Sequence, residues 1–404
     1  MRFFYLEVAS RGQLGIIPSL SSRLPQIYAW HLTWEFPPVI EGGLGIACEG
    51  IYNGLQTAGC NVEVFHPAMM KGHRDIKESY LNEDFSSCDF DSLVDKIISG
   101  QSLRGETLLE AVQSFSSWVL GQSAQSLPDV VHAHDWHSML AAVALKKVHG
   151  VPMVLQMHSS QVERVGVFAK RGIQALEQWG LEYADAVIAV SGISAQSLAC
   201  AYCVSAWKIH VVQNAIDSSS VNLREPDELK TLLFVGRFCS QKSPELVVEI
   251  FRRLVQQYPH LRLLMVGRGE LLDPMRKLID FYALQQNVEL LGKIPVESVA
   301  IVYSRADLLM LPSIAEPFGM VALEAAQAGL AVILSERCGA KEILKSACVV
   351  EHRDVDAWVR SVTHLIESTL SYRELVSQLQ KEAASRTWRD AAEEILAIYA
   401  KVLA

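Results

Sequence analysis

Glu316 and Glu324 stand eight residues apart in the stretch EPFGMVALEA. Upstream, Asp307 to Leu311 (DLLML) reads as a buried strand, PSIAEPFG breaks it, and MVALEAAQAG predicts a helix closed by Gly329. One carboxylate therefore falls in a loop at a strand's carboxyl end and the other inside the following helix. A carboxylate accepts two hydrogen bonds at once, which suits the neighbouring hydroxyls of a sugar or a ribose. Between the two, the N–H groups of Phe318, Gly319 and Met320 would be unpaired at a helix start, where the helix dipole favours a phosphate. Gly319 also lets a ligand approach the backbone closely. These residue types and this spacing suggest a clamp for a nucleotide sugar, with one glutamate for each ring.

A second loop supplies cations. Leu232 to Val235 reads as a strand running into GRFCSQKSPE, where Ser243 and Pro244 form a helix start. Arg237 and Lys242 then share one strand-to-helix loop, and two cations there would stabilise a departing diphosphate without a metal. In the first half, WEFPPVIEGGLG (residues 34–45) follows a strand and precedes a helix over 46–58. Its Gly42, Gly43 and Gly45 would admit a diphosphate or a sugar. His132, His134 and Asp135 end one predicted strand and His158 ends the next. A strand-end histidine is more often a structural hydrogen-bonding residue than a catalyst, and the residues alone leave both readings open. Arg164 suits an anionic acceptor and plain solvent equally.

The EPFGMVALEA stretch, the G-R-x4-K pattern at Gly236 to Lys242 and the WEFPP and GGLG segments resemble the signatures of glycosyltransferase family 4. Those are retaining enzymes of the GT-B architecture, and glycogen and starch synthases are more distant relatives. The resemblance covers about residues 27–403. It implies an α/β chain of two facing Rossmann-like, doubly wound domains with an interdomain cleft. It also implies that Glu316 contacts the transferred sugar, Glu324 the ribose, and Arg237 and Lys242 the diphosphate. Gly42, Gly43 and Gly45 would touch the donor, with Gly267, Gly269, Lys293 and Ile294 beside the base. His158 would lie near the reacting centre and Asp135 near the acceptor or sugar.

The implied reaction moves a hexose from a nucleotide diphosphate sugar to a hydroxyl acceptor, a carbohydrate, lipid or small molecule, with retention. The co-substrate is a UDP- or ADP-sugar, with GDP-mannose also fitting a carboxylate clamp; no separate cofactor and no metal is implied. The string HAHDWH resembles α-glucan synthases too, which makes glycogen-type synthesis the alternative. Against it, Ile40 to Leu44 (IEGGL) lacks the lysine usual in bacterial glycogen synthases. A non-enzyme alternative is a catalytically degenerate partner subunit that binds nucleotide sugars. Two departures from the family pattern, NAID at 214–217 and CGAKE at 338–342, bear on hinge geometry and the acceptor side.

These residues need a scaffold. With 404 residues, half of them apolar, two domains are the default. Short apolar runs alternate with amphipathic segments, the rhythm of a parallel α/β sheet. One series of strands runs from Ile27 to Val212 and a second from Leu232 to Val350, with a polar connection at 214–230 between them. The expected division is 1–217 for the acceptor-side domain and 218–386 for the nucleotide-sugar domain. The family resemblance implies that a terminal helix, 387–404, returns to the first domain. Members of the resembled family usually begin almost directly with the first strand, so the leader, residues 1–26, reads as an added strand or loop or as a wrongly chosen start.

A net charge of −9 argues against nucleic acid and anionic membranes as general partners. No apolar run approaches the roughly 20 residues a bilayer span needs, and the start lacks a signal-like stretch. The expected location is cytoplasmic, with peripheral contact at the inner membrane face left open. Cys200 and Cys203 are expected to pack in a core rather than bind zinc. Neither Asp89 with Asp91 nor Asp354 with Asp356 is expected to bind a metal: the first pair lies in a polar stretch without a preceding strand, and the second begins a helix, where acidic residues suit the dipole.

Overall fold

The computed structural model describes residues 26–40, 42–70, 88–100, 107–166, 171–217, 228–295 and 298–404. The leader, Glu41 and most of the polar connection lie outside the described residues. Twelve strands form in the two expected series. The first comprises β1 (Tyr28–Leu32), β2 (Asn61–Phe65), β3 (Val130–His134), β4 (Met153–Met157), β5 (Ala186–Ala189) and β6 (Ile209–Val211). The second comprises β7 (Thr231–Val235), β8 (Arg262–Val266), β9 (Val288–Gly292), β10 (Leu308–Leu311), β11 (Ala331–Ser335) and β12 (Cys348–Val350).

Every strand pairing is parallel. The central strands VVHAH, MVLQM, LLML and AVILS are buried at every position, as a sheet covered by helices on both faces demands. The sheets run β2-β1-β3-β4-β5-β6 and β12-β11-β10-β7-β8-β9. This is the GT-B pair of Rossmann-like domains. The second sheet reverses direction between its central strands β7 and β10, and the first between β1 and β3. Ligands of such sheets bind outside the carboxyl ends of the strands at these reversals.

The helix Trp388–Leu403 begins with a capping box between Thr387 and Asp390. It packs along the helix Gly43–Thr57 so closely that a Cβ at Gly50 would meet the Trp388 ring at 2.0 Å. The Gly43–Thr57 helix starts three residues earlier than its apolar periodicity suggests, because Gly43, Leu44 and Gly45 already carry helical geometry.

Two local expectations are corrected. Ser243 does occupy the helix start before Pro244, but in a left-handed conformation, so its hydroxyl donates to Ser240 O at 3.3 Å instead of capping. Cys200 and Cys203 are exposed, so they do not fill a core. Asp89 and Asp354 cap helix starts, accepting from Ser92 and Ala357, and Asp91, in the first turn after Asp89, binds Lys147, Tyr183 and Trp179.

Candidate active site

The carboxyl ends of β7 and β10 bring Lys242 and Glu316 together from 74 residues apart. Lys242 donates to Glu316 Oε2, which also accepts from Ser313 Oγ at 3.0 Å. The loop holding Glu316 is sewn into the sheet: Glu316 N donates to Arg337 O, Gly339 N to Glu316 O, and Ala340 N to Phe318 O. A 7 % exposed carboxylate in such a frame cannot swing away to solvent. Arg237, from the same loop as Lys242, is exposed and touches Gln241 Oε1 at 3.5 Å. Gln241 itself donates to Ala315 O, tying the cation loop to the carboxylate loop.

Immediately after Glu316, Phe318 and Met320 are buried and Gly319 opens the helix Met320–Gln327 at φ +97°. A Cβ there would sit 2.9 Å from Cys338 Sγ and 3.1 Å from Glu316 Cγ, so glycine is required for the turn and for the position of Glu316. The N–H groups of Phe318, Gly319 and Met320 donate to no acceptor among the described residues. Glu324 follows on the same helix, half-buried, and accepts from Tyr303 Oη at 2.7 Å. Burial pushes its carboxyl above the ordinary range, and the Tyr303 bond offsets part of that rise. Tyr303 was invisible to motif reading; its only signal was an apolar helix preceding β10.

In the first sheet, β1 and β3 carry the opposite wall. Asp135 is 1 % exposed, at φ +55°. Its Oδ1 accepts from His158 N at 2.7 Å and Ser159 N at 3.4 Å, and its Oδ2 lies 3.3 Å from Arg164. Both oxygens therefore have partners within the fold. Asp135 positions the end of β4 and holds Arg164 inward. His158 is half-buried, its pKa lowered by burial and by Arg164 against an opposing pull from Asp135. Its Nε2 lies 3.0 Å from His134 Nδ1, leaving Nδ1 for a ligand.

The glycines divide into two kinds. A Cβ at Gly42 or Gly43 would meet nothing within 4 Å, so neither local packing nor, at Gly42, the extended backbone at φ −168° requires glycine. At Gly267 a Cβ would fall 1.8 Å from Gly236 O, and at Gly269 2.4 Å from Phe238 O. These two are required by the contact between the β7 and β8 loops, which Phe238 N seals by donating to Arg268 O at 2.8 Å. Gly45 is crowded by Ile40 and Glu35. Lys293 is exposed after β9, and Ile294 packs against the central apolar cluster.

The two halves touch beside this site. Ser191 Oγ donates to Pro317 O at 2.6 Å, and the Glu342 carboxylate accepts from Gly192 N, Ile193 N and Gln213 Nε2. A cavity of about 430 Å³ between Ser346, Arg360 and Leu375 lies behind β12 instead. It lacks the convergent carboxylate, cation and helix start, so the strand-end cleft is the better candidate.

Residues 216–386 match the family described as glycosyl transferases group 1, and residues 42–215 match the glycosyl transferase 4-like domain. An uncharacterized glycosyltransferase of Methanocaldococcus jannaschii is 26% identical, the alignment spanning 91% of this chain and 96% of that protein. The glycogen synthase of Mycobacterium tuberculosis is also 26% identical, over 91% of this chain and 93% of its own. Sucrose-phosphate synthase from Thermosynechococcus elongatus superposes with a TM-score of 0.73 at 22% identity, covering 93% of this chain and 99% of that one. That last likeness is one of fold.

Proposed function

Because the chain belongs to the glycosyltransferases built from a family 4-like domain and a group 1 domain, we propose that it transfers a hexose with retention of configuration from a UDP- or ADP-sugar to a hydroxyl acceptor. The observation that carries this reading is the convergence of Glu316, Lys242 and an unpaired helix start at the reversal of the second sheet. Glu316 holds hydroxyls of the transferred hexose, and Glu324 holds the ribose. The N–H groups of Phe318 to Met320, with Lys242 and Arg237, hold the diphosphate. Gly42 and Gly43 face the donor from the opposite wall, and Lys293 and Ile294 border the base.

In the reaction the acceptor oxygen attacks the anomeric carbon on the face from which the diphosphate departs. The bond from that carbon to the phosphate oxygen breaks, and the acceptor's proton passes to the phosphate oxygen released. Negative charge grows on the diphosphate, where Arg237 and Lys242 stabilise it without a metal. His158 lies near the anomeric centre, and Asp135 keeps its loop in place. The division of labour places the acceptor on residues 1–217 and the donor on 218–386, with helix 387–404 returning to the first half. Among the described residues no helix is long and apolar enough to cross a membrane.

A second reading, α-glucan synthesis, rests on the similarity to glycogen synthase along nearly the whole chain. The test is a calorimetric and thermal-shift screen of UDP-, ADP- and GDP-sugars on wild type and Glu324→Ala. One preferred nucleotide, bound by wild type and lost in the variant, supports the clamp. Nucleoside diphosphate released only with a glycogen primer would select the glucan reading. Binding without any turnover across hydroxyl acceptors would make the chain a nucleotide-sugar-binding subunit.

A further inference from the structure

Four histidines, three of which the transfer reaction does not by itself explain, lie in one hydrogen-bonded line. His158 Nε2 meets His134 Nδ1 at 3.0 Å, and His134 Nε2 meets His31 Nδ1 at 3.3 Å. His31 Nε2 then meets Tyr399 Oη at 2.9 Å, and the same hydroxyl meets His132 Nδ1 at 2.7 Å. The sheet builds this line: His31 and His132 are register partners on β1 and β3, and His134 follows two residues on, so all three share a face. Tyr399 arrives from the helix Trp388–Leu403, which covers that face. His31, His132, His134 and Tyr399 are at most 1 % exposed.

Burial keeps these imidazoles neutral, the His31 ring at about 3 and those of His132 and His134 well below the ordinary value. A neutral imidazole has one N–H and one lone pair, and a hydroxyl has one proton to donate. The line therefore has two self-consistent polarities. If Tyr399 donates to His132 Nδ1, it accepts from His31 Nε2–H, His31 Nδ1 accepts from His134 Nε2–H, and His134 Nδ1 accepts from His158 Nε2–H. All four rings then carry the proton on Nε2. If Tyr399 donates to His31 instead, every bond reverses and all four carry it on Nδ1.

We propose that Tyr399 is a positioning residue for sugar transfer: its hydroxyl joins His132 to a one-directional hydrogen-bond line through His31 and His134 that fixes which ring nitrogen of His158 holds a proton. This rests on the reading of His158 as a donor-sugar contact, since the tautomer decides whether its Nδ1 donates to or accepts from a sugar hydroxyl. It also gives the returning C-terminal helix a part in the chemistry, because that helix carries the hydroxyl that joins His31 to His132. The line ends at His132, a buried ring that has the Gln156 amide as its other polar neighbour.

The test is NMR of the full chain with 15N-labelled histidine, in which the protonated and bare ring nitrogens are distinguished directly. Wild type is expected to show one common tautomer at His31, His132, His134 and His158. Any one of the four in the opposite tautomer overturns the line. His31, His132 and His134 also lie close enough together to hold a metal ion, and a chelator that changes their resonances would replace the line with a metal site. In Tyr399→Phe, His158 is expected to divide between tautomers, with kcat reduced about tenfold at unchanged donor KM. A folded Tyr399→Phe with a single His158 tautomer and full kcat leaves Tyr399 a packing residue only. Should that variant fail to fold, the wild-type tautomers still decide. A wild type that transfers no sugar defeats the proposed function without touching the tautomer result.

Discussion

Lys242 and Glu316 close an ion pair across the seam between β7 and β10, with only 16 % and 9 % of their side chains exposed. A donor that engages both must take Lys242 onto a phosphate and free Glu316 for hydroxyls, so the pair holds each group ready for its ligand. Breaking such a pair on one side strands a buried charge and costs about 3–5 kcal/mol, whereas removing both charges costs less. Lys242→Met and Glu316→Gln should each lower the denaturation midpoint, and the double variant should recover part of the loss. Activity should not recover: each variant is expected to lose about 100-fold or more in kcat. Recovery of turnover in the double variant would assign the pair to structure alone.

The glycines offer a contrast between packing and ligand approach. Gly267→Ala places a Cβ 1.8 Å from Gly236 O and should prevent folding or lower the melting temperature severely. Gly42→Ala and Gly43→Ala meet open space and should melt close to wild type, yet weaken donor binding, measured by calorimetry. Unchanged donor affinity in both alanine variants would remove this loop from the donor site.

Glu177 is buried, with its carboxylate accepting from Tyr202 and from Gln161 N at 2.9 and 3.0 Å. Burial pushes its pKa up to about 8, partly countered by those bonds. The folded chain therefore keeps a proton that the unfolded chain releases near the ordinary carboxylate value, and folding stability falls as pH rises from about 4.5 to about 8. Glu177→Gln mimics the protonated acid and removes this dependence. Urea titrations should show the variant gaining on wild type steadily across that window; a constant difference between them would mean Glu177 is ionised in the fold.

Glu342 caps, from the second half, the start of the helix Gly192–Ala201 in the first. Glu342→Ala leaves Gly192 N, Ile193 N and Gln213 Nε2 to find water, a loss of about 1–3 kcal/mol. Because the contact joins the two halves beside Pro317, the variant should also raise the radius of gyration in small-angle scattering. An unchanged radius and melting temperature would show that the remaining contacts, including Ser191 to Pro317, hold the halves unaided.

The strands were legible in the chain because parallel strands buried on both faces read as unbroken apolar runs: LLML ends at Leu311 and TLLFV at Val235, where the apolar runs end. The loops carrying Arg237, Lys242, Glu316 and Gly319 were legible too, since strand-to-helix turns fix their positions locally. Residues 1–25 and the connection at 218–227 lie outside the described structure.

What tertiary structure alone decided were the partners. Lys242 finds Glu316, Tyr303 finds Glu324, Glu342 finds Gly192, and Tyr399 finds His31 from 368 residues away. Local sequence sets backbone conformation through sterics and apolar periodicity, but a hydrogen bond between distant segments depends on strand order and helix packing. Asp135 shows the same limit: its place beside His134 said where it stood, and only the β4 loop and Arg164 closing over it showed what its two oxygens hold.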